Sequence, residues 1–311
     1  MKQMKRSFLV LMMIILSSSL YGQNSSIALP FVVADRNPVS AAMGGASLVR
    51  TGDIAYASYS NAAVIPFSSR KSDISVGYTS WLPESANTNF INVAGAGKIG
   101  DNFGLSLGFT TGLNPAYEIT DENGDISGKF APKDLQLNLG LAWKFLPYLG
   151  VGANVKYVSS SLAKSVNSGA VASDIFLMSS FDGLKVALGA NNIGTKVKSA
   201  SGASFSLPSS IALGLGYEDV FADKHGLSFL LDADYYLYGA YSASVGAEYC
   251  YNDMFAFRTG YNYAKECPVP SYFSFGLGLK FSSFKIDFAY QAVSSPIKLG
   301  NNLVLSLGVA F

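Results

Sequence analysis

The chain has 311 residues, 49% of them hydrophobic and only 14% charged, with a formal net charge of +1. Soluble globular proteins carry about 25% charged residues, so the class is unusual. The hydrophobicity excludes disorder, the missing basic excess argues against nucleic acid as a partner, and no apolar run approaches the roughly 18 residues of a membrane helix.

In chain order, Lys2, Lys5 and Arg6 precede an apolar stretch at 8–16, and residues 17–22 end in the small residue Gly22. That is the pattern of a secretory signal peptide over 1–22, with cleavage expected after Gly22 and no cysteine there for lipid attachment. Residues 23–71 lack strict alternation. Met43-Gly44-Gly45-Ala46 and Tyr59-Ser60-Asn61-Ala62-Ala63 read as turns and short helices. This segment is expected to be a hatch or plug within a barrel; a periplasmic tail is the alternative.

From 72 to 311, apolar and polar residues alternate with a period of two in segments of about 10 residues, the signature of a transmembrane β-barrel. Fourteen segments are predicted, near 72–81, 89–100, 102–113, 133–146, 149–161, 169–179, 183–194, 208–218, 226–238, 241–250, 253–263, 271–282, 283–293 and 301–311. The fold class is therefore all-β, a 14-stranded antiparallel barrel. Tight turns such as Gly100-Asp101 and Pro147-Tyr148 follow even-numbered strands, and long connections such as 114–132 and 195–207 follow odd ones. This is the expected contrast between periplasmic turns and external loops. A turn over 219–225 would be the one long periplasmic connection, and His225 is expected to be solvated within it.

Charge sorts the two faces. Asp73, Lys98, Lys144, Lys156, Asp174, Lys185, Glu218, Asp232, Asp234, Glu248, Arg258, Lys280, Lys285 and Asp287 fall on the face assigned inward, and no charge is assigned outward. A charge facing lipid at mid-depth costs about 2–4 kcal/mol. Trp143, Phe145, Tyr217, Tyr249, Phe281, Phe284 and Phe311 would form one interfacial girdle, with Trp81, Phe109, Tyr235, Tyr261, Phe273 and Tyr290 in the other. The inward face also carries many glycines, among them Gly104, Gly108, Gly140, Gly152, Gly214 and Gly276, which leave room for an occupant.

Catalytic patterns are poor, and neither an enzyme nor a cofactor is expected. A single histidine excludes multi-His metal sites and disfavours a Ser-His-Asp triad. Gly95-Ala96-Gly97-Lys98-Ile99-Gly100 matches GxGxxG, but a tight turn and another strand follow where nucleotide binding requires a helix. Asp121-Glu122-Asn123-Gly124-Asp125 begins like a calcium loop, yet its twelfth position is Pro132, so a hairpin turn is expected. Asp232 and Asp234 share one face and are expected to join an internal ion-pair network with lumen Lys and Arg. Cys250 and Cys267 fall at opposite ends of the barrel in this strand count, so no disulfide is expected. Phe311 ends the last strand in the manner of a terminal aromatic read by the barrel-insertion machinery.

Several short stretches together resemble the PorV/PorQ family of outer-membrane proteins, and PorV more than PorQ. They are Ala28-Leu29-Pro30-Phe31, Asp35-Arg36, Ala42-Met43-Gly44-Gly45-Ala46, and Asp53 followed by Asn61-Ala62-Ala63. Further landmarks are Tyr78-Thr79-Ser80-Trp81-Leu82, residues 120–132, Asn191-Asn192-Ile193-Gly194, Leu207-Pro208-Ser209-Ser210 and Phe275-Gly276-Leu277-Gly278-Leu279-Lys280. The resemblance implies a FadL-like barrel with an N-terminal hatch. Its motif residues would be Asp35, Arg36, Met43, Gly44, Gly45, Asp53 and Asn61. It also implies an accessory or cargo-handling role in type IX protein secretion, with the translocon or cargo C-terminal domains as partners. Ser60-Asn61-Ala62-Ala63 departs from the family's Trp-Asn-Pro-Ala, and the external loops are shorter than those of PorV. A FadL-like passive channel for hydrophobic or small solutes is the alternative reading.

Overall fold

The computed structural model describes residues 27–311, apart from 86, 122, 164–165, 199–201 and 296–298. The expected signal peptide lies outside the described residues.

Fourteen antiparallel strands close into a barrel in chain order. They are β1 (Ser72–Trp81), β2 (Thr88–Ile99), β3 (Phe103–Leu113), β4 (Lys133–Leu146), β5 (Leu149–Ala163), β6 (Val166–Phe181) and β7 (Leu184–Gly194). The second half comprises β8 (Ser210–Phe221), β9 (His225–Tyr236), β10 (Tyr241–Tyr251), β11 (Phe255–Lys265), β12 (Tyr272–Phe281), β13 (Phe284–Val293) and β14 (Asn302–Ala310). β14 pairs with β1 from Asp73 opposite Ala310 to Ser80 opposite Leu303, so no strand edge is left to lipid. The strands alternate exposed apolar residues with buried ones that are mostly polar or small, with larger inward groups such as Phe90, Phe176 and Leu230 among them. In β1, Ile74, Val76 and Tyr78 point out while Asp73, Ser75, Gly77 and Thr79 point in.

At one end of the barrel every connection is two or three residues long; the other end carries the longer ones. Two of these contain small hairpins, one pairing Tyr117–Thr120 with Ile126–Phe130 and one pairing Val197–Lys198 with Ser204–Phe205. In the first, Asp121 Oδ1 accepts the amides of Asn123 and Asp125, which makes a turn of the acidic stretch. The GxGxxG match runs along β2 and ends in a turn at Gly100, whose φ is 64°.

Four sequence expectations are corrected. The turn at 219–225 shrinks to residues 222–224, because β8 and β9 keep pairing as far as Phe221 opposite His225. His225 is therefore a strand residue, stacked on Phe221 with 5.2 Å between ring centroids and hydrogen-bonded through Nδ1 to the Tyr249 hydroxyl at 2.7 Å. Trp81 shares the parity of Asp73 and Thr79, so it faces the lumen and packs beside Phe90 instead of joining a girdle. Lys133, Asp219 and Lys265 do point outward, but only at strand ends, where the depth-dependent penalty falls to about 0–1 kcal/mol.

Candidate functional site in the barrel lumen

Residues 27–71 fold as a 3₁₀ turn (Pro30–Val33), helix α1 (Pro38–Ala42) and two further 3₁₀ turns (Ala57–Tyr59 and Ala62–Phe67). Each piece is short and locally capped. Asn37 Oδ1 accepts the Val39 amide at the start of α1, where Pro38 supplies a pre-set φ. Gly44 and Gly45 end it with φ of 70° and 88°, a left-handed conformation that favours glycine. Asn61 caps the last 3₁₀ turn by accepting the Ala63 amide at 2.8 Å, and its Nδ2 donates to the Leu48 carbonyl at 2.7 Å.

This segment sits against inward-facing residues of nearly every strand. The wall is small where the segment is large. A Cβ on Gly246 would fall 2.5 Å from Met43 Cβ; one on Gly104 would fall 2.7 Å from Ile65 and one on Gly214 2.7 Å from Leu48. A Cβ on Gly152 would collide with the Ala63 backbone, and one on Gly260 with the Met43–Gly44 backbone. The Gly44 amide donates to Ser274 Oγ, whose hydroxyl in turn donates to the Ala42 carbonyl, each at 2.9 Å. Tyr59 reaches Thr110 on β3, and Asn154 on β5 donates to the carbonyl of Ser60.

Charged side chains divide into two groups. Near the end with short turns, Arg50 Nη2 donates to both Glu248 oxygens at 2.8 and 2.9 Å. Arg258 bridges Glu248 at 2.5 Å and Asp287 at 2.6 Å. Lys285 bridges Asp53 at 2.6 Å and Asp73 at 2.7 Å. Lys185 pairs with Glu218 and donates to Thr51 Oγ1. Lys144 and Lys98 donate to the carbonyls of Pro66 and Ser68. Of these, Arg50, Asp53, Lys185, Glu218, Glu248, Arg258, Lys285 and Asp287 border a cavity of about 720 Å³ at that end.

The second group lies towards the end with long loops. Asp35 accepts Gln291 Nε2 at 2.8 Å and the Tyr272 hydroxyl at 3.1 Å. Arg36 has no carboxylate partner among the described residues. It donates to the carbonyls of Phe31 and Ala34 and lies 3.9 Å from the centroid of the Phe90 ring. The expected ion-pair network does not include Asp232 or Asp234. Asp232 accepts the Ser47 and Leu48 amides at 2.7 and 3.0 Å, and Asp234 accepts the Ser210 hydroxyl at 2.7 Å. Neutral donors of the segment and the neighbouring strand take the place of the expected cations. Asp174 does pair with Lys156, at 2.8 Å, and also accepts the amide of Asn192, where a bulge shifts the pairing of β6 with β7. Thus Asn191-Asn192-Ile193-Gly194 includes a bulge fixed by Asp174, Lys156 and the Pro208 carbonyl.

Arg50 was absent from the motif residues read from the sequence, yet it ties the segment to both carboxylate oxygens of Glu248 on the wall. A signal exists: Asp35, Arg36, Arg50 and Asp53 are the only charges over residues 27–69. Inside a lumen such charges need partners. Among the described residues no cluster of metal-ligating side chains is present. Cys250 and Cys267 are both free thiols.

No protein-family model and no curated protein matches the chain. Among solved structures it is similar to the toluene transporter TodX of Pseudomonas putida, with a TM-score of 0.65 and 16% identity over 88% of this chain and 98% of that one. The monoaromatic hydrocarbon channel CymD gives a TM-score of 0.60 and 15% identity over 92% of this chain and 98% of that one. A Pseudomonas aeruginosa FadL homologue gives 0.52 and 13%, over 88% and 98%. The PorV/PorQ resemblance has no counterpart among these named structures. What the similarity establishes is the fold: a transmembrane barrel of the type seen in FadL-like channels.

Proposed function

We propose that this protein is an outer-membrane channel of FadL-like build, passing hydrophobic or small solutes, in which residues 27–71 act as a hatch. The observation that carries the reading is the complementarity of the lumen and the segment. Wall glycines accept segment side chains around the barrel, and Asp35, Arg50 and Asp53 of the segment are each tied to the wall by their side chains. A segment held by short caps and individual ties, and not by strand pairing, is the kind of element that opens locally. Likeness in fold to a toluene transporter and a monoaromatic hydrocarbon channel supports transport in preference to catalysis.

The type IX reading rests on the motif resemblance. Its motif residues Asp35, Arg36, Met43, Gly44, Gly45, Asp53 and Asn61 all have partners inside the barrel, so packing accounts for them without a cargo. The test is solute entry into proteoliposomes by the full chain and by a variant lacking residues 27–67. Faster entry into the variant's vesicles supports the channel. Two closed proteins, together with recovery of a secretion translocon in a crosslinked pull-down from outer membranes, would replace it with the cargo-handling role.

A further inference from the structure

We propose that the solute crossing this barrel is small and polar, and that it passes between two lumen chambers through a septum formed by residues 47–53. The inference rests on the channel reading and names its substrate class.

The lumen holds two cavities, and the same short strip of chain lines both. Arg50, Gly52 and Asp53 border the cavity of about 720 Å³ at the end with short turns. Ser47 and Leu48 border a second cavity of about 160 Å³ towards the long loops. Charged and polar groups border both, although Val220, Leu227, Met254 and Leu279 also line the larger. Lys185, Glu218, Glu248, Arg258, Lys285 and Asp287 surround the first; Asp35, Asp232, Asp234, Asn191, Ser210 and Ser244 surround the second. The lumen's large apolar groups offer no comparable path, because they pack on one another: Phe31 lies 5.9 Å and Trp81 6.1 Å from Phe90 between ring centroids. An apolar cavity of about 600 Å³ does exist, but Ile74, Val93, Leu107 and Leu139 place it on the lipid-facing wall. A hydrocarbon crossing both chambers would take these charged and polar groups away from water, whereas a polar solute exchanges water for them at little loss.

The septum is built to let go. Its charged ties go to wall groups that keep a partner when it leaves. Without Arg50, Glu248 still holds Arg258, which still holds Asp287. Without Asp53, Lys285 still holds Asp73, and without Thr51, Lys185 still holds Glu218. Withdrawal therefore strands none of these charges around the larger chamber; Asp232, which loses the Ser47 and Leu48 amides, borders the smaller chamber and exchanges them for its water. Arg50 and Asp53, which border the larger chamber, exchange their partners for its water.

The experiment compares full-length wild type, the Arg50→Ala/Asp53→Ala double variant and the variant lacking residues 27–67. Potassium chloride conductance in planar bilayers and arabinose entry into proteoliposomes are measured, with heat-modifiable mobility as the folding control. A several-fold rise of both in the double variant is expected. No rise in a folded double variant, while the variant without residues 27–67 conducts, would overturn the septum route and leave the channel standing. No flux through any of the three would overturn the channel reading itself. A second measurement does not depend on the double variant folding. Native Cys250 borders the larger chamber, so a charged methanethiosulfonate applied to Cys267→Ser protein in which Arg50→Ala removes the tie to Glu248 should reduce arabinose entry. Complete modification of Cys250 with unchanged entry would place the route elsewhere.

Discussion

Replacing Asn61 with alanine should loosen the lumen segment without unfolding the barrel. Asn61 is fully buried, and its side chain makes two hydrogen bonds, accepting from Ala63 N at 2.8 Å and donating to Leu48 O at 2.7 Å. Loss of the cap costs about 1 kcal/mol. The Leu48 carbonyl, left without this donor beside a buried side chain, adds about 1–3 kcal/mol. The sum, about 2–4 kcal/mol, raises the population of displaced segment roughly 30- to 900-fold at 1.36 kcal/mol per tenfold. None of this falls on the strand ladder, because both partners lie within residues 27–71. Hydrogen exchange should report it as lost protection over residues 47–67, with β1 to β14 unchanged. Protection that stays at wild-type levels throughout would refute the assigned role of Asn61. Protection lost equally in the strands would show that segment and barrel unfold as one unit.

Deleting Phe311 removes the amide that donates to Ser72 O and the carbonyl that accepts from Lys71 N, both at the seam that closes the barrel. It should lower the yield of heat-modifiable folded protein, whereas Phe311→Leu, which keeps the backbone, should lower it less. Gly44→Ala should raise protease sensitivity of the segment, since a Cβ there lies 2.6 Å from the Tyr261 carbonyl oxygen at a φ of 70°; unchanged sensitivity would show that the segment shifts freely. The two cysteines should stay uncrosslinked. Cys267 Sγ lies 3.2 Å from the Tyr241 carbonyl, at the opposite end of β10 from Cys250. At about 3.3 Å per residue the two are some 30 Å apart, far beyond the roughly 7 Å between Cα atoms that a disulfide tolerates. An impermeant maleimide should label Cys267 and spare Cys250 in intact cells. That labelling should be slow at neutral pH, because burial pushes the Cys267 thiol up to about 11. A Cys250–Cys267 crosslink in non-reducing mass spectrometry would contradict the strand order.

The barrel was legible because lipid imposes a strict rule on every second residue, and that rule is written in types of side chain. Leu303, Leu305 and Leu307 on β14 can be sorted without knowing any partner. Errors arose where position along a strand was used in place of parity, as at Trp81, or where a strand was ended too early, as at Asp219, or begun too late, as at His225. Asp232 failed for a different reason. Its partners are the backbone amides of Ser47 and Leu48, and a backbone amide leaves no mark in a sequence. Arg50 and Glu248 are far apart in the chain and meet only because the segment turns back into the lumen.

The glycines show why an occupant could be anticipated while its placement could not. An inward glycine in the middle of a strand weakens the strand and leaves space, so it states that something approaches the wall. It does not state what. Gly246 and Gly260 stand on adjacent strands and both receive Met43; Gly152 receives Ala63 and Gly214 receives Leu48. No periodicity connects these pairs, since the wall repeats every two residues while the segment is a series of short turns. Such a fit places little demand on any one side chain of the segment, provided its bulk meets a gap. The charges at residues 50 and 53 differ in kind: each requires one particular partner, Glu248 or Lys285, at one height in the barrel. Register of the segment within the lumen is therefore set by these two ties, and shape complementarity follows from it.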